Sequence, residues 1–92
     1  MDSFAGGRAD IIEVRIGEGS PLAGMPIRQI SEKHKIRVLV CAVEREEFVT
    51  IPDGEFRLKY GDKIYVTGTA EYLLEVQFLT LVHHVDQLVG MI

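Results

Sequence analysis

Four groups of residues in this chain have the types and spacing to do chemistry. The first is basic. Lys33, His34, Lys35 and Arg37 lie close together, and clustered cations can hold a small anion. Lys33, His34 and Arg37 are therefore the candidate ligand-binding residues. The same charges would also complement the C-terminal end of a helix, where backbone carbonyls leave partial negative charge. The second group is Gly17-Glu18-Gly19-Ser20. A phosphate cradle needs a glycine-spaced run of amides opening directly into a helix. This loop lacks that spacing, no helix follows it directly, and Glu18 would repel phosphate. It reads as a surface loop, and no cofactor is expected in this lobe.

The third group, His83, His84 and Asp86 with Glu75, has metal-ligating types. Adjacent histidines on a helix diverge by about 100° and cannot grip one ion from one face. The stretch reads as a solvated tail, with no metal site. The fourth group comprises possible nucleophiles and acid–base pairs. No hydroxyl or thiol stands in a recognisable nucleophile–base spacing. Glu46-Glu47 reads as a charged turn. Cys41 sits inside an apolar run, where a buried and inert thiol is expected, since reactive thiols need exposed, electropositive settings. No catalytic residue is assigned, and the chain does not read as an enzyme.

The elements that would position these residues follow from periodicity. Ile12, Val14 and Ile16 alternate with Glu13 and Arg15, which marks a strand over 11–16. Residues 17–25 form a loop rich in Gly, Ser and Pro, with Leu22 tucked into the core. Pro26 suits a first helical position, and Ile27, Ile30 and His34 share a face, so a helix is expected over 26–35. The strand over 37–45 is apolar from 38 to 43. Continuous apolar runs indicate burial on both faces, so a helix or a second copy must cover the far side. Glu46-Glu47 makes a tight turn to a partner strand over 48–51, and Pro52-Asp53-Gly54 makes the next turn. Residues 58–68 supply a Gly61-Asp62 turn and a strand burying Ile64 and Val66. Val40, Ala42, Ile64 and Val66 are the expected core. Thr69 is placed to cap a helix beginning at Ala70. That helix has two apolar ridges, one through Ala70, Leu73, Leu74, Gln77, Phe78 and Leu81, the other through Tyr72, Val76 and Leu79. A helix apolar on two sides touches two neighbours. Val85, Leu88, Val89 and Ile92 continue helical spacing, interrupted by Gly90.

These pieces, in this order, resemble a known module. Ser20, Leu22, Gly24 and Ile27 match its entry segment. The apolar strand Val40-Cys41-Ala42-Val43-Glu44-Arg45, the turn at Ile51-Pro52-Asp53-Gly54 and the run from Leu58 through Gly61-Asp62 to Gly68 match the rest. The pattern is similar to that of the C-terminal domain of RCK (regulator of potassium conductance) proteins, the TrkA-C family, over about 11–81. The resemblance implies an α+β fold, a small and mostly antiparallel sheet with packed helices, acting as a homodimer. It implies a cytoplasmic regulatory and assembly lobe of a Trk-type potassium-uptake system, held at the inner face of the membrane by a transporter subunit. An N-terminal nucleotide-binding RCK lobe would belong to the same parent chain. The alternative is a module sensing a small anionic ligand or cyclic dinucleotide for another cation transporter or antiporter. A purely structural dimerisation domain is a third possibility. In relatives that bind cyclic di-AMP, an Asp, an Arg two residues later and an Asn at the strand's start carry the site. Those positions here hold Ser31, Lys33 and Leu39. Lys33 keeps the charge of the Arg and loses its bidentate fork.

Composition agrees with one small globular domain: 92 residues, 47% hydrophobic and 26% charged. A net charge of −4 with no block of Lys or Arg points away from nucleic acid and anionic membrane surfaces. One cysteine permits no internal disulfide. No apolar run approaches the ~20 residues of a membrane-spanning helix. Asp2-Ser3-Phe4-Ala5-Gly6-Gly7 reads as a flexible leader. The expected organisation is a leader or linker over 1–10, the domain over 11–82 and a helical tail or linker over 83–92, cut from a longer chain.

Overall fold

Alternating apolar residues at 12, 14 and 16 build the strand they predict, and it begins earlier than expected. In the computed structural model, which describes residues 2–81, β1 (Asp2–Phe4) leads through a 3-10 turn at Ala5–Gly7 into β2 (Ala9–Arg15). β1 and β2 pair antiparallel, with Ser3 opposite Asp10. The flexible leader expected over 1–10 is thereby corrected. Gly6 and Gly7 have φ of 68° and 81°, a conformation open to glycine, and the pair reverses the chain into a ladder. The remaining elements are α1 (Arg28–His34), β3 (Val38–Arg45), β4 (Phe48–Thr50), β5 (Lys63–Gly68) and α2 (Ala70–Leu81). The tail expected over 83–92, with His83, His84 and Asp86, lies outside the described residues.

The five strands form one antiparallel sheet in the order β1-β2-β5-β3-β4. Ile12, Val40, Val43, Ile64 and Val66 from the sheet join Ile30 of α1 and Leu73 and Val76 of α2 in one buried cluster, with Leu22 and Leu58 from the loops. Helix α1 is shorter than expected. Pro26 bridges to Arg57, and Lys35 adopts a left-handed conformation (φ 58°) whose amide donates to the Ser31 carbonyl and closes the helix. At the start of α2 the Thr69 carbonyl accepts from Leu73 N–H at 3.0 Å.

Strand β3 departs from its expected burial. The register against β5 slips between Val40 and Ala42. Cys41 is the extra residue of a β-bulge, which inverts the alternation beyond it. Val40 and Val43 therefore face the core, opposite Val66 and Ile64. Ala42, expected inside, is half-buried opposite Tyr65, and Cys41 is half-buried rather than enclosed. The far face of the apolar run is not covered within the chain: Leu39 is 63% exposed.

The loop after β2 ties α2 to the sheet. Gly17 N–H donates to the Thr80 carbonyl at 2.8 Å, and the Ser20 hydroxyl donates to the Leu79 carbonyl at 2.6 Å. These groups satisfy carbonyls that the end of a helix leaves unpaired. They are thus committed to a helix C-terminus, the wrong polarity for a phosphate. A Cβ at Gly17 would stand 2.7 Å from the Thr80 oxygen. Gly17→Ala is expected to cost about 1–3 kcal/mol through this clash, at about 4–8 °C per kcal/mol in a domain of this size. Thermal denaturation checks it, and an unchanged midpoint would show that α2 does not seat on Gly17.

Candidate functional site

The basic segment runs from the last turn of α1 to the start of β3. Lys33 and His34 occupy that last turn. Ile36, 1% exposed, anchors the connection in the core. Lys33, Lys35 and Arg37 are exposed, and among the described residues none of the three has a side-chain hydrogen bond or ion pair. Lys33 and Arg37 are thus presented on the surface, free to attract an anion.

His34 does not join them. It lines a groove of about 330 Å³ with Ile36, Leu74, Glu75, Phe78 and Leu79. Its Nε2 is buried without a hydrogen-bond partner. Burial first, and the positive charge of Lys33 second, lower its pKa below the ordinary histidine value. A neutral imidazole in an apolar groove adds no charge to the basic segment.

Helix α2 forms the other wall of this groove. Its inward side is Leu73, Val76 and Thr80. The ridge expected through Leu73, Leu74 and Phe78 therefore splits. Leu73 turns inward, while Leu74, Phe78 and Leu81 are 65%, 50% and 75% exposed. Leu39 of β3, Phe48 and Val49 of β4 and Ile51 just after it are also exposed, with Phe48 and Val49 on opposite faces of their strand. Lys63 Nζ sits 3.1 Å from Glu13 and 3.9 Å from Glu44, a charge ladder across β2, β5 and β3.

Arg45 and Asp62 form a constellation that local sequence reasoning missed. The Arg45 guanidinium donates from Nε to Asp62 Oδ1 and from Nη2 to Oδ2, both at 2.7 Å. Lys59 N–H donates to Oδ2 at 2.8 Å. Nη2 also donates to the Arg57 carbonyl at 3.0 Å, and the guanidinium lies 4.9 Å from the centre of the Phe56 ring. Asp62 is 1% exposed. Burial pushes its carboxyl pKa up, but the Arg45 and Lys59 hydrogen bonds outweigh burial and hold it below the ordinary carboxylate value. The signal was present in the sequence, as a strand ending in Arg and a Gly-Asp turn. Only the fold shows that the two pieces meet.

Among the described residues no group of three His, Cys, Asp or Glu side chains could hold a metal ion, and no helix is long and apolar enough to cross a membrane.

Comparison with known proteins gives three kinds of likeness. The TrkA-C domain matches residues 11–79. The chain is 28% identical over 69 residues to a Trk system potassium uptake protein TrkA homolog of Archaeoglobus fulgidus, covering 75% of this chain and 15% of that protein. The chain therefore spans about 15% of the length of this curated relative. Among solved structures, the RCK_C domain dimer of S. agalactiae BusR in complex with c-di-AMP superposes with a TM-score of 0.66 at 20% identity, over 76% of this chain and 93% of that one. The KtrA RCK C domain in complex with c-di-AMP gives 0.64 at 21% identity, over 76% and 81%. The GsuK RCK domain gives 0.68 at 23% identity, over 94% and 18%. At these identities the superpositions establish the fold.

Proposed function

The chain belongs to the TrkA-C domain family, and from that premise we propose that it is a cytoplasmic regulatory and assembly lobe of a Trk-type potassium-uptake system. The observation that carries this reading is the match over 11–79 together with a relative described as a potassium uptake protein. The lobe acts as a homodimer. Leu74, Phe78 and Leu81 remain exposed along α2 of a folded chain, and a row of large apolar side chains in solvent is characteristic of a face that meets a partner. The mechanism is conformational. Ligand or nucleotide binding in the parent protein shifts the packing between paired lobes, and the shift reaches a membrane subunit at the inner face of the cell membrane. Deleting this chain from its host is expected to change rubidium uptake at limiting external potassium. Unchanged rubidium uptake with altered sodium–proton exchange would favour a role in another cation transporter or antiporter.

A second reading, that the lobe senses a small anionic ligand, draws on two neighbours solved with c-di-AMP and on the exposed Lys33 and Arg37. At the three positions that the family resemblance implies for such a site, Ser31, Lys33 and Leu39, all exposed, only Lys33 brings a charge. Cyclic dinucleotides, nucleotides and inorganic phosphate are expected to raise the melting temperature of the wild-type chain. Arg37→Ala should abolish the shift, and added salt should weaken it, because the Debye length is only ~8 Å at physiological ionic strength. No shift with any anion on the wild type would remove this reading.

A further inference from the structure

We propose that the outer edge of β4 takes up an extended segment of a partner protein, apolar at alternate positions and basic at its ends, as an added strand of the sheet. Strand β4 ends the sheet on one side. It pairs with β3 through Arg45↔Phe48, Glu44↔Val49 and Val43↔Thr50, and the turn Glu46-Glu47 joins the two strands. Both turn residues have positive φ, 51° and 71°, as the tight turn of a two-residue hairpin requires. In such a hairpin the residues flanking the turn exchange both backbone hydrogen bonds, and so does every second pair beyond them. Phe48 and Thr50 thus spend their amides and carbonyls on β3. Val49 directs its own away from the sheet, toward solvent.

The side chains along this edge suit an apolar guest. Phe48, Val49 and Ile51 are 76%, 62% and 77% exposed. Phe48 and Val49 lie on opposite faces of the strand, so an added strand would meet an apolar side chain on each face. Free edges are commonly blocked by Lys or Pro. Strand β4, Phe-Val-Thr, has neither. Its short length offers few backbone bonds, so charge must help to hold the guest.

Charge also identifies the guest. Residues 46–55 include Glu46, Glu47, Asp53 and Glu55 and no Lys or Arg. Glu55 is held by Arg28 at 2.7 Å, and Arg45 is committed to Asp62. Glu46 and Glu47 are exposed, with no salt bridge among the described residues. Two carboxylates at the head of the edge favour Lys or Arg on the guest and repel nucleic acid and anionic lipid. A second copy is the poorer guest, because antiparallel pairing about Val49 would bring its Asp53 toward Glu46 and Glu47.

A display library of random short peptides, selected against the 92-residue chain, supplies the probes. The recovered peptides are expected to alternate apolar residues and to carry Lys or Arg. Val49→Pro removes the outward amide and spares the bonds to β3, so it should keep the wild-type circular dichroism and weaken peptide binding by at least about tenfold. Glu46→Asn with Glu47→Gly suits the same turn, and should keep the fold while weakening binding by about tenfold. This second variant decides the matter if Val49→Pro does not fold. Recovery of no peptide, recovery of peptides lacking Lys and Arg, or full binding by either folded variant would overturn the proposal. Dissociation of a wild-type dimer by Val49→Pro would give the edge to a second copy, and loss of binding to phosphatidylserine vesicles in Val49→Pro would give it to a membrane. Either result would overturn the proposal and leave the regulatory reading standing.

Discussion

Replacing Arg45 by Ala is expected to destabilise the fold by about 3–5 kcal/mol, the cost of leaving a buried carboxylate without its partner. Asp62 is almost fully buried, and the two hydrogen bonds that neutralise it come from one guanidinium. The Lys59 amide alone would remain. The loss would also remove the Arg45 bond to the Arg57 carbonyl and its contact with the Phe56 ring, so the segment before β5 should loosen first. In the wild type the Asp62 pKa is depressed. Its contribution is therefore present above the unfolded carboxylate value of about 3.9 and lost as pH falls through the lower folded value. Arg45→Ala removes the two side-chain hydrogen bonds that lower this pKa and leaves the Lys59 amide alone, so the variant should lack this contribution. The gap between variant and wild type should accordingly be widest near pH 7 and narrow toward about pH 4. Urea unfolding at both pH values measures it. A variant equal to wild type at pH 7 would show that the pair does not organise this turn.

Val66→Asp is expected to cost at least about 4 kcal/mol. Val66 is 0% exposed, between Ile12 of β2 and Val40 of β3. No described side chain there could neutralise a carboxylate. A domain of this size holds about 5–15 kcal/mol in all, so much of the variant population should be unfolded at 37 °C, as judged by circular dichroism. Leu39→Asp provides the contrast on the opposite face of the sheet and should change stability by no more than about 0.5 kcal/mol. Equal effects of the two substitutions would contradict the assigned faces of the sheet.

These two substitutions also show how far the fold was legible in the sequence. Strands β2 and β5 could be read directly, because each buries one face and alternates with period two. Val66 was placed inside from that pattern alone. Strand β3 could be located but not oriented. Its run from 38 to 43 is apolar at every position, so no alternation marks the bulge at Cys41 that turns Ala42 outward. Gly6-Gly7 suggested slack, and the strand at Asp2–Phe4 is too short and polar to carry a period. Gly61-Asp62 reads as a turn from local chemistry, yet the partner that explains Asp62 is Arg45, seventeen residues earlier. At the site, the exposure of Lys33 and Arg37 followed from their charge. The turn of His34 into an apolar groove did not, because it depends on where α2 crosses the end of α1.

The proposed mechanism requires this lobe to work as a pair. Sedimentation equilibrium of the unmodified chain, from low to tens of micromolar, measures that pairing. A species of twice the chain mass of 10.3 kDa is expected, dissociating reversibly on dilution. A single species of 10.3 kDa across the whole range would contradict it.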